Sequence, residues 1–433
     1  MSQDTRIKPQ LIASVEDTAK FVCGTCVQEP FLNQQKILTL HRPRICVGCG
    51  SSIKSAFTFS YLEQKCRHQL PNHYEPDDEI YRRPEYRLQQ LLADVLMSKS
   101  SRLISLLAVA LTTADSDEED DDEDGDDDSD TDFFSPYQSY QRQSGPFEDE
   151  DHERWFVLGD WHHVATELSH GRRFFNQSAQ ELFAAIVSEA LSAVDDAVPA
   201  RHPAIKTLQV GQEFFRARIA LNHREQKDFR EHPGQSLGAP PKEKASNGRM
   251  SAAGVSSLYM SADKKTCIAE VRPSIGDHVV VGKFKSTREL TLFDLTAFSE
   301  DGATSRYVGY PSISIFDPTH TDREMVRLML SHLHVELGRP VKLQNTDYLM
   351  TQALAEYIRY YDNGRFDGIA FHSVQRAGGV NYTLFDRNTE DEQRSYGWEP
   401  RFDVEIDTAD TEVVEVEAVE YLTKHKPQHN TWA

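Results

Sequence analysis

Asp277–Leu295 reads DHVVVGKFKSTRELTLFDL, two runs rich in β-branched and aromatic residues joined by a short polar turn. Such runs favour consecutive strands. Working upstream, QEFFRARIA (Gln212–Ala220) alternates like a strand, and SSLYM (Ser256–Met260) does the same. Downstream, DGIAF (Asp367–Phe371) and NYTLF (Asn381–Phe385) read as two more, separated by a loop that contains a Gly-Gly pair. Helices intervene. Thr321-x-x-Glu324 has the form of a capping box ahead of a stripe at Val326, Leu330, Leu333 and Leu337, closed by Gly338 and Pro340. A second helix carries Met350, Leu354, Tyr357 and Tyr361 on one face, with Gly364 beyond it. The fold class is therefore α+β, with a C-terminal mixed α/β domain over residues 205–390. In the extension 391–433, EVVEVEAVEYL alternates apolar and acidic residues and predicts one last half-exposed strand.

Ahead of that domain the texture differs. Residues 1–60 hold paired cysteines, and 61–112 read as helical, with RRPEYRLQQLLADVLMSKSSRLISLLAVAL giving apolar positions at helical spacing. Residues 113–152 read as an acidic disordered insertion, since such sequence cannot bury enough apolar surface to offset chain entropy. Residues 153–204 are helical again, with Phe183, Ile186 and Leu191 near one face. They are expected to continue the N-terminal domain by packing on the helix before the insertion.

The formal net charge of −22 is concentrated: Asp115–Asp132 places 14 acidic residues in 18 positions. Outside it the balance is 47 basic against 55 acidic residues. That mild excess argues against broad, charge-driven nucleic-acid binding, although nucleic-acid contact through the N-terminal module stays open. The N-terminus MSQDTRIKPQ lacks an apolar signal region, and the most apolar stretch, Leu103–Leu111, is about half the ~20 residues that span a bilayer. Six cysteines are too few for a disulfide scaffold. A reducing cytoplasm without membrane attachment is the expected setting.

Cys23-x2-Cys26 and Cys46-x2-Cys49 stand 19 residues apart, the spacing of a zinc ribbon. Two intervening residues let both thiolates of a pair face one ion, and Gly48 and Gly50 suit so tight a knuckle. Four sulfur ligands leave no open position, so the expected zinc is structural rather than catalytic. Cys66 and Cys267 are left over for apolar surroundings.

Three stretches resemble the RES family. FFRAR (Phe214–Arg218) is similar to its opening strand, with Arg216 as the best match for the arginine. GRMSAAGVSSLYMSADKKTCIAEVRP (Gly248–Pro273) is similar to its central block, with Arg249, Tyr259 and Glu270. FDGIAFHSVQRAGGVNYTLF (Phe366–Phe385) is similar to its closing block, with Ser373. The resemblance implies a domain akin to ADP-ribosyltransferases and NAD-degrading toxins, with NAD as substrate. By this reading Glu270, Arg216 and Ser373 are catalytic, and Arg216, Arg218, Arg249, Tyr259 and Ser373 bind the dinucleotide. Those residue types suit the chemistry. Guanidinium groups grip diphosphate oxygens bidentately. A carboxylate stabilises the oxocarbenium-like ribose left when nicotinamide departs, and a tyrosine offers a face for stacking. Taken singly, each has a plainer account: a surface ion pair for Arg216, a solvated helical position for Glu270, a core position for Tyr259, a turn for Ser373. Their joint occurrence in family order favours the catalytic one.

The N-terminal layout resembles the zinc-ribbon and HEPN-like helical segment found ahead of some RES domains. Nucleases of that type use R-x4–6-H on a helix. Arg67 and His73 meet the spacing, but Pro71 is expected to break the helix between them, and Arg154 lies too far from His162 or His163. The extra segments are therefore expected to regulate the NAD site. The expected function is NAD glycohydrolase or phosphorylase activity as a toxin or defence effector, with a neutralising antitoxin or regulatory protein as partner and homo-oligomerisation open. The alternatives are ADP-ribosyl transfer to a macromolecule and a non-catalytic zinc-ribbon binding protein.

Overall fold

A computed structural model of the chain describes residues 19–35, 38–77, 87–113, 133–135, 138–143, 150–195, 201–298, 308–338, 348–386 and 401–420. The chain divides into two units, residues 1–148 with 312–322, and residues 149–311 with 323–433. Among the described residues no helix is long and apolar enough to cross a membrane.

The first unit begins with β1 (Phe21–Val22), α1 (Pro30–Gln35), β2 (Leu38–Ile45) and β3 (Ser52–Thr58), whose strands form an antiparallel sheet in the order β1-β3-β2. Then follow α2 (Phe59–His73), β4 (Tyr74–Asp77), α3 (Leu88–Val95), α4 (Ser101–Thr113) and β5 (Ser139–Arg142). Thr58 caps α2 by accepting from the Tyr61 amide, and Leu62, Cys66 and Leu70 line its buried face. They meet Leu91, Leu92, Leu103, Leu107 and Leu111 in one apolar core.

Two expectations change here. Pro71 does not break α2, because it sits in the last turn, where a proline costs one backbone hydrogen bond near an end already frayed. Arg67 spends its guanidinium on the carbonyls of Ala110 and Leu111 at the C-terminus of α4, at 3.2 and 3.1 Å, a favourable place for a cation. The segment 113–152, expected to be a disordered insertion, carries a strand and core residues. β5 pairs with β4, and Phe134 and Tyr140 are buried in the core. The acidic run Asp115–Asp132 itself lies outside the described residues.

The second unit opens with α5 (Glu150–Val157), α6 (Gly159–His170) and α7 (Gln177–Ser192), followed by β6 (Val194–Asp195), β7 (Ile205–Leu208) and β8 (Glu213–Ala220). Next come α8 (His223–Glu231), α9 (Pro233–Ser236), β9 (Ser257–Ser261), α10 (Lys264–Glu270), β10 (His278–Ser286), β11 (Leu290–Asp294) and β12 (Val308–Gly309). The unit ends with α11 (His320–Gly338), α12 (Leu349–Tyr360), β13 (Gly368–His372), β14 (Val380–Phe385), β15 (Val404–Glu405) and β16 (Thr411–Glu415). The mixed α+β architecture read from the sequence is borne out; of the last predicted strand, Thr411–Glu415 is extended and half-exposed. Helix α11 starts at His320, so Thr321 and Glu324 lie inside it rather than forming its cap. The helical run 153–204 groups with this unit instead of continuing the N-terminal one. Its α6 and α7 pack on α12, where the Phe183 and Tyr357 rings lie 6.2 Å apart. The amphipathic pattern announced a buried face but not which partner would cover it.

A mixed sheet in the order β15-β10-β8-β9-β14-β13-β11-β7 holds the core, with β16 added along β10. It has a seam. β8 pairs with β10 over its whole length but with β9 only through Phe215 and Ser261. One apolar cluster, including Phe214, Leu258, Met260, Val280, Tyr382 and Leu384, fills one face. Against the other face, Cys267 of α10 packs on Ala217, Val279 and Val281.

Candidate active site

Helix α10 is short, and its ends explain the site. Asp263 caps it by accepting from the Thr266 amide at 3.0 Å, while burying Thr266 and Cys267 leaves Glu270 at the rim. Arg272, with φ of 48°, turns the chain away immediately afterwards. Beyond β13 the chain makes a tight loop in which Ser373 Oγ accepts from the amides of Gln375 and Arg376, both at 3.2 Å. Gly379 closes it. A Cβ there would lie 2.7 Å from Thr266 Oγ1 and 3.0 Å from Ser373 Cβ, so only glycine lets this loop settle against α10.

That closure brings Ser373 Oγ to Glu270, donating to Oε1 at 2.5 Å. Asn381 Nδ2 donates to the same oxygen at 2.8 Å. Tyr259 stands across from them. Burial, then the charge of Glu270 and a hydrogen bond to it, push its hydroxyl well above the usual tyrosine range, with Arg249 pulling the other way. The Arg249 guanidinium lies 5.5 Å from the centre of the Tyr348 ring and donates to the Leu337 carbonyl. Its own carbonyl accepts from Thr351. Thus Arg249, Tyr259 and Glu270 of the central block and Ser373 of the closing block share one neighbourhood.

Arg216 and Arg218 do not join it. Alternation along β8 puts them on the face of Phe214 and Ala220, whereas α10 lies against the face of Phe215, Ala217 and Ile219. Arg216 Nη1 is buried without a hydrogen-bond partner. Burial first, then the charge of Arg218, bring the Arg216 guanidinium down to about 9. The sequence shows that both arginines share a face; it does not show that Glu270 takes the other. Asn381, Ser261 and Tyr348 escaped the sequence reading. The sequence carried no signal for Asn381: in NYTLF the polar residues 381 and 383 alternate with apolar ones as on a solvent-facing side, yet both are buried.

In the N-terminal unit Cys23, Cys26, Cys46 and Cys49 converge, with all four sulfurs within 4.8 Å of one another. Cys23 and Cys49 are 3.7 Å apart, and Cys26 and Cys46 are 3.8 Å apart. A tetrahedral zinc with bonds of about 2.3 Å requires sulfur separations of about 3.8 Å, so the cluster fits that ion. Gly48 is needed here, since a Cβ would meet Cys26 Sγ at 2.9 Å. The remaining thiols, Cys66 and Cys267, are buried, and burial pushes each up to about 12, which makes them inert.

Residues 213–407 match the family model of the RES domain, beginning at the first residue of β8. The chain carries a RES domain in its C-terminal unit. A search of curated proteins and one of solved structures found no match.

Proposed function

We propose that this protein consumes NAD by cleaving the bond between nicotinamide and ribose. The observation that carries the proposal is the convergence of Glu270, Tyr259, Ser373 and Arg249 inside the RES domain. Nicotinamide leaves from a cationic pyridinium. The C–N bond breaks with its electron pair going to the ring nitrogen, so no general acid is needed. The cost lies in the cationic ribose left behind, which the Glu270 carboxylate stabilises electrostatically. Tyr259 supplies the stacking face and Arg249 a guanidinium for the diphosphate. Arg216 and Arg218 point from the opposite face of β8 and take no part in this step. Water or phosphate then attacks the ribose carbon.

We read the protein as a cytoplasmic toxin or defence effector held in check by a neutralising partner, with a structural zinc in its N-terminal unit. The test is to incubate the purified full chain with NAD, with and without phosphate, and identify products. Nicotinamide with ADP-ribose indicates hydrolysis, and ADP-ribose 1″-phosphate indicates phosphorolysis. Label fixed on a macromolecule redirects the assignment to ADP-ribosyl transfer, and unchanged NAD overturns it.

A further inference from the structure

We infer that Asn381 is a positioning residue for the Glu270 carboxylate, with Ser261 setting the sense of its amide; this rests on the reading of Glu270 as the group that stabilises the ribose cation. Asn381 and Ser261 face each other across β14 and β9 and are each 1 % exposed. Burying two polar side chains on a sheet face is costly unless every group finds a partner, so an apolar pair would serve the fold better. Their hydrogen bonds point one way. Ser261 Oγ lies 2.7 Å from Asn381 Oδ1, which can only accept, so the serine donates and the amide nitrogen is turned outward. That nitrogen donates to Glu270 Oε1.

Ser373 completes the arrangement from the opposite side. Its oxygen already accepts from two backbone amides, which leaves its proton for the same Oε1. Two donors held by rigid backbone therefore fix one oxygen of a side chain that stands at the last position of a seven-residue helix. The carboxylate also accepts from the Tyr259 hydroxyl. Without Asn381 the carboxylate loses one of these donors. Electrostatic stabilisation of a transition state depends on such preorganisation, and a misplacement of about 1 Å costs on the order of a hundredfold.

The test uses the full-length protein. Asn381→Ala is expected to lower kcat for NAD about tenfold to a hundredfold with KM changed less than about twofold, at a similar melting temperature. Ser261→Ala removes one oxygen only, keeps the fold, and should give a smaller loss of the same kind. Asn381→Asp sets a second carboxylate against Oε1, so the acid limb of the kcat–pH profile should move to higher pH, a response that a purely structural role does not produce. Independently of turnover, the carboxyl 13C resonance of Glu270, identified by its loss in Glu270→Gln, should shift in both alanine variants. An unshifted resonance, or a wild-type kcat in both alanine variants, overturns the inference while leaving the NAD reading in place. Absence of NAD turnover in the wild type overturns that reading, and the resonance still decides the positioning role.

Discussion

Arg376 grips Asp263 through one guanidinium nitrogen that reaches both carboxylate oxygens at 2.9 Å, and the same nitrogen lies 2.8 Å from Thr266 Oγ1. Asp263 caps the helix that ends in Glu270, and Arg376 belongs to the loop that presents Ser373. The pair thus ties the two halves of the site together from behind. Burial pushes the Asp263 carboxyl up, but the Thr266 hydrogen bonds and the Arg376 charge outweigh it and hold the group below the usual range. Both partners are partly exposed, so the ion pair itself contributes under about 1 kcal/mol. Arg376→Ala should therefore barely change the melting temperature yet lower NAD turnover, by loosening Ser373. Asp263→Ala should also lose the cap, a further ~1 kcal/mol by denaturant titration.

Glu270→Gln removes a charge at a rim position. Turnover of NAD is expected to vanish while circular dichroism and melting temperature stay unchanged. Activity at the wild-type level would take Glu270 out of the mechanism.

Glu189 on α7 is buried and accepts from Arg323 and Arg327 on α11, the latter at 2.8 Å. Burial pushes its carboxyl up, and the two arginines more than compensate, leaving it below the usual carboxylate range. A depressed folded value means stability that is present above the unfolded value and is lost as pH falls through the folded one. Glu189→Gln leaves two cations beside a neutral group and should cost about 3 kcal/mol at neutral pH. The deficit relative to wild type should shrink below about pH 4, measured by urea unfolding across that range.

Arg272 carries a positive φ just past α10 and is exposed. A left-handed position costs a residue with a Cβ about 1–2 kcal/mol, and glycine recovers part of it against a greater loss of chain entropy. Arg272→Gly should stabilise the fold by roughly 0.5 kcal/mol, seen as a small rise in melting temperature. Arg272→Ala should show no such gain.

Cys23→Ser is expected to abolish stoichiometric zinc binding and to loosen the N-terminal unit, read by metal analysis and proteolysis. Intact protein purified without metal would dismiss the ribbon.

Much of this was legible in the chain. The alternation of apolar residues announced the longer strands between Glu213 and Phe385, though not the two-residue β12, and the cysteine spacing announced their convergence, because both signals are local. The partners of α5 to α7 were not legible, since an apolar stripe names no neighbour. The place of Arg216 was half legible: strand periodicity puts it beside Arg218, but which face receives α10 depends on the connection through Asp263. Asn381 was hidden because a polar residue within a strand usually points to solvent, and only the register with Ser261 reveals otherwise.

The single residue pair between β8 and β9 has a measurable corollary. Past Phe215, one edge of β8 is sealed by its ladder with β10 while the other has no such ladder. Deuterium should therefore enter alternate amides of this strand at very different speeds, although it lies in the interior of the sheet order. A bound dinucleotide that bridges the gap would slow the fast set alone, turning the strand into a reporter of occupancy.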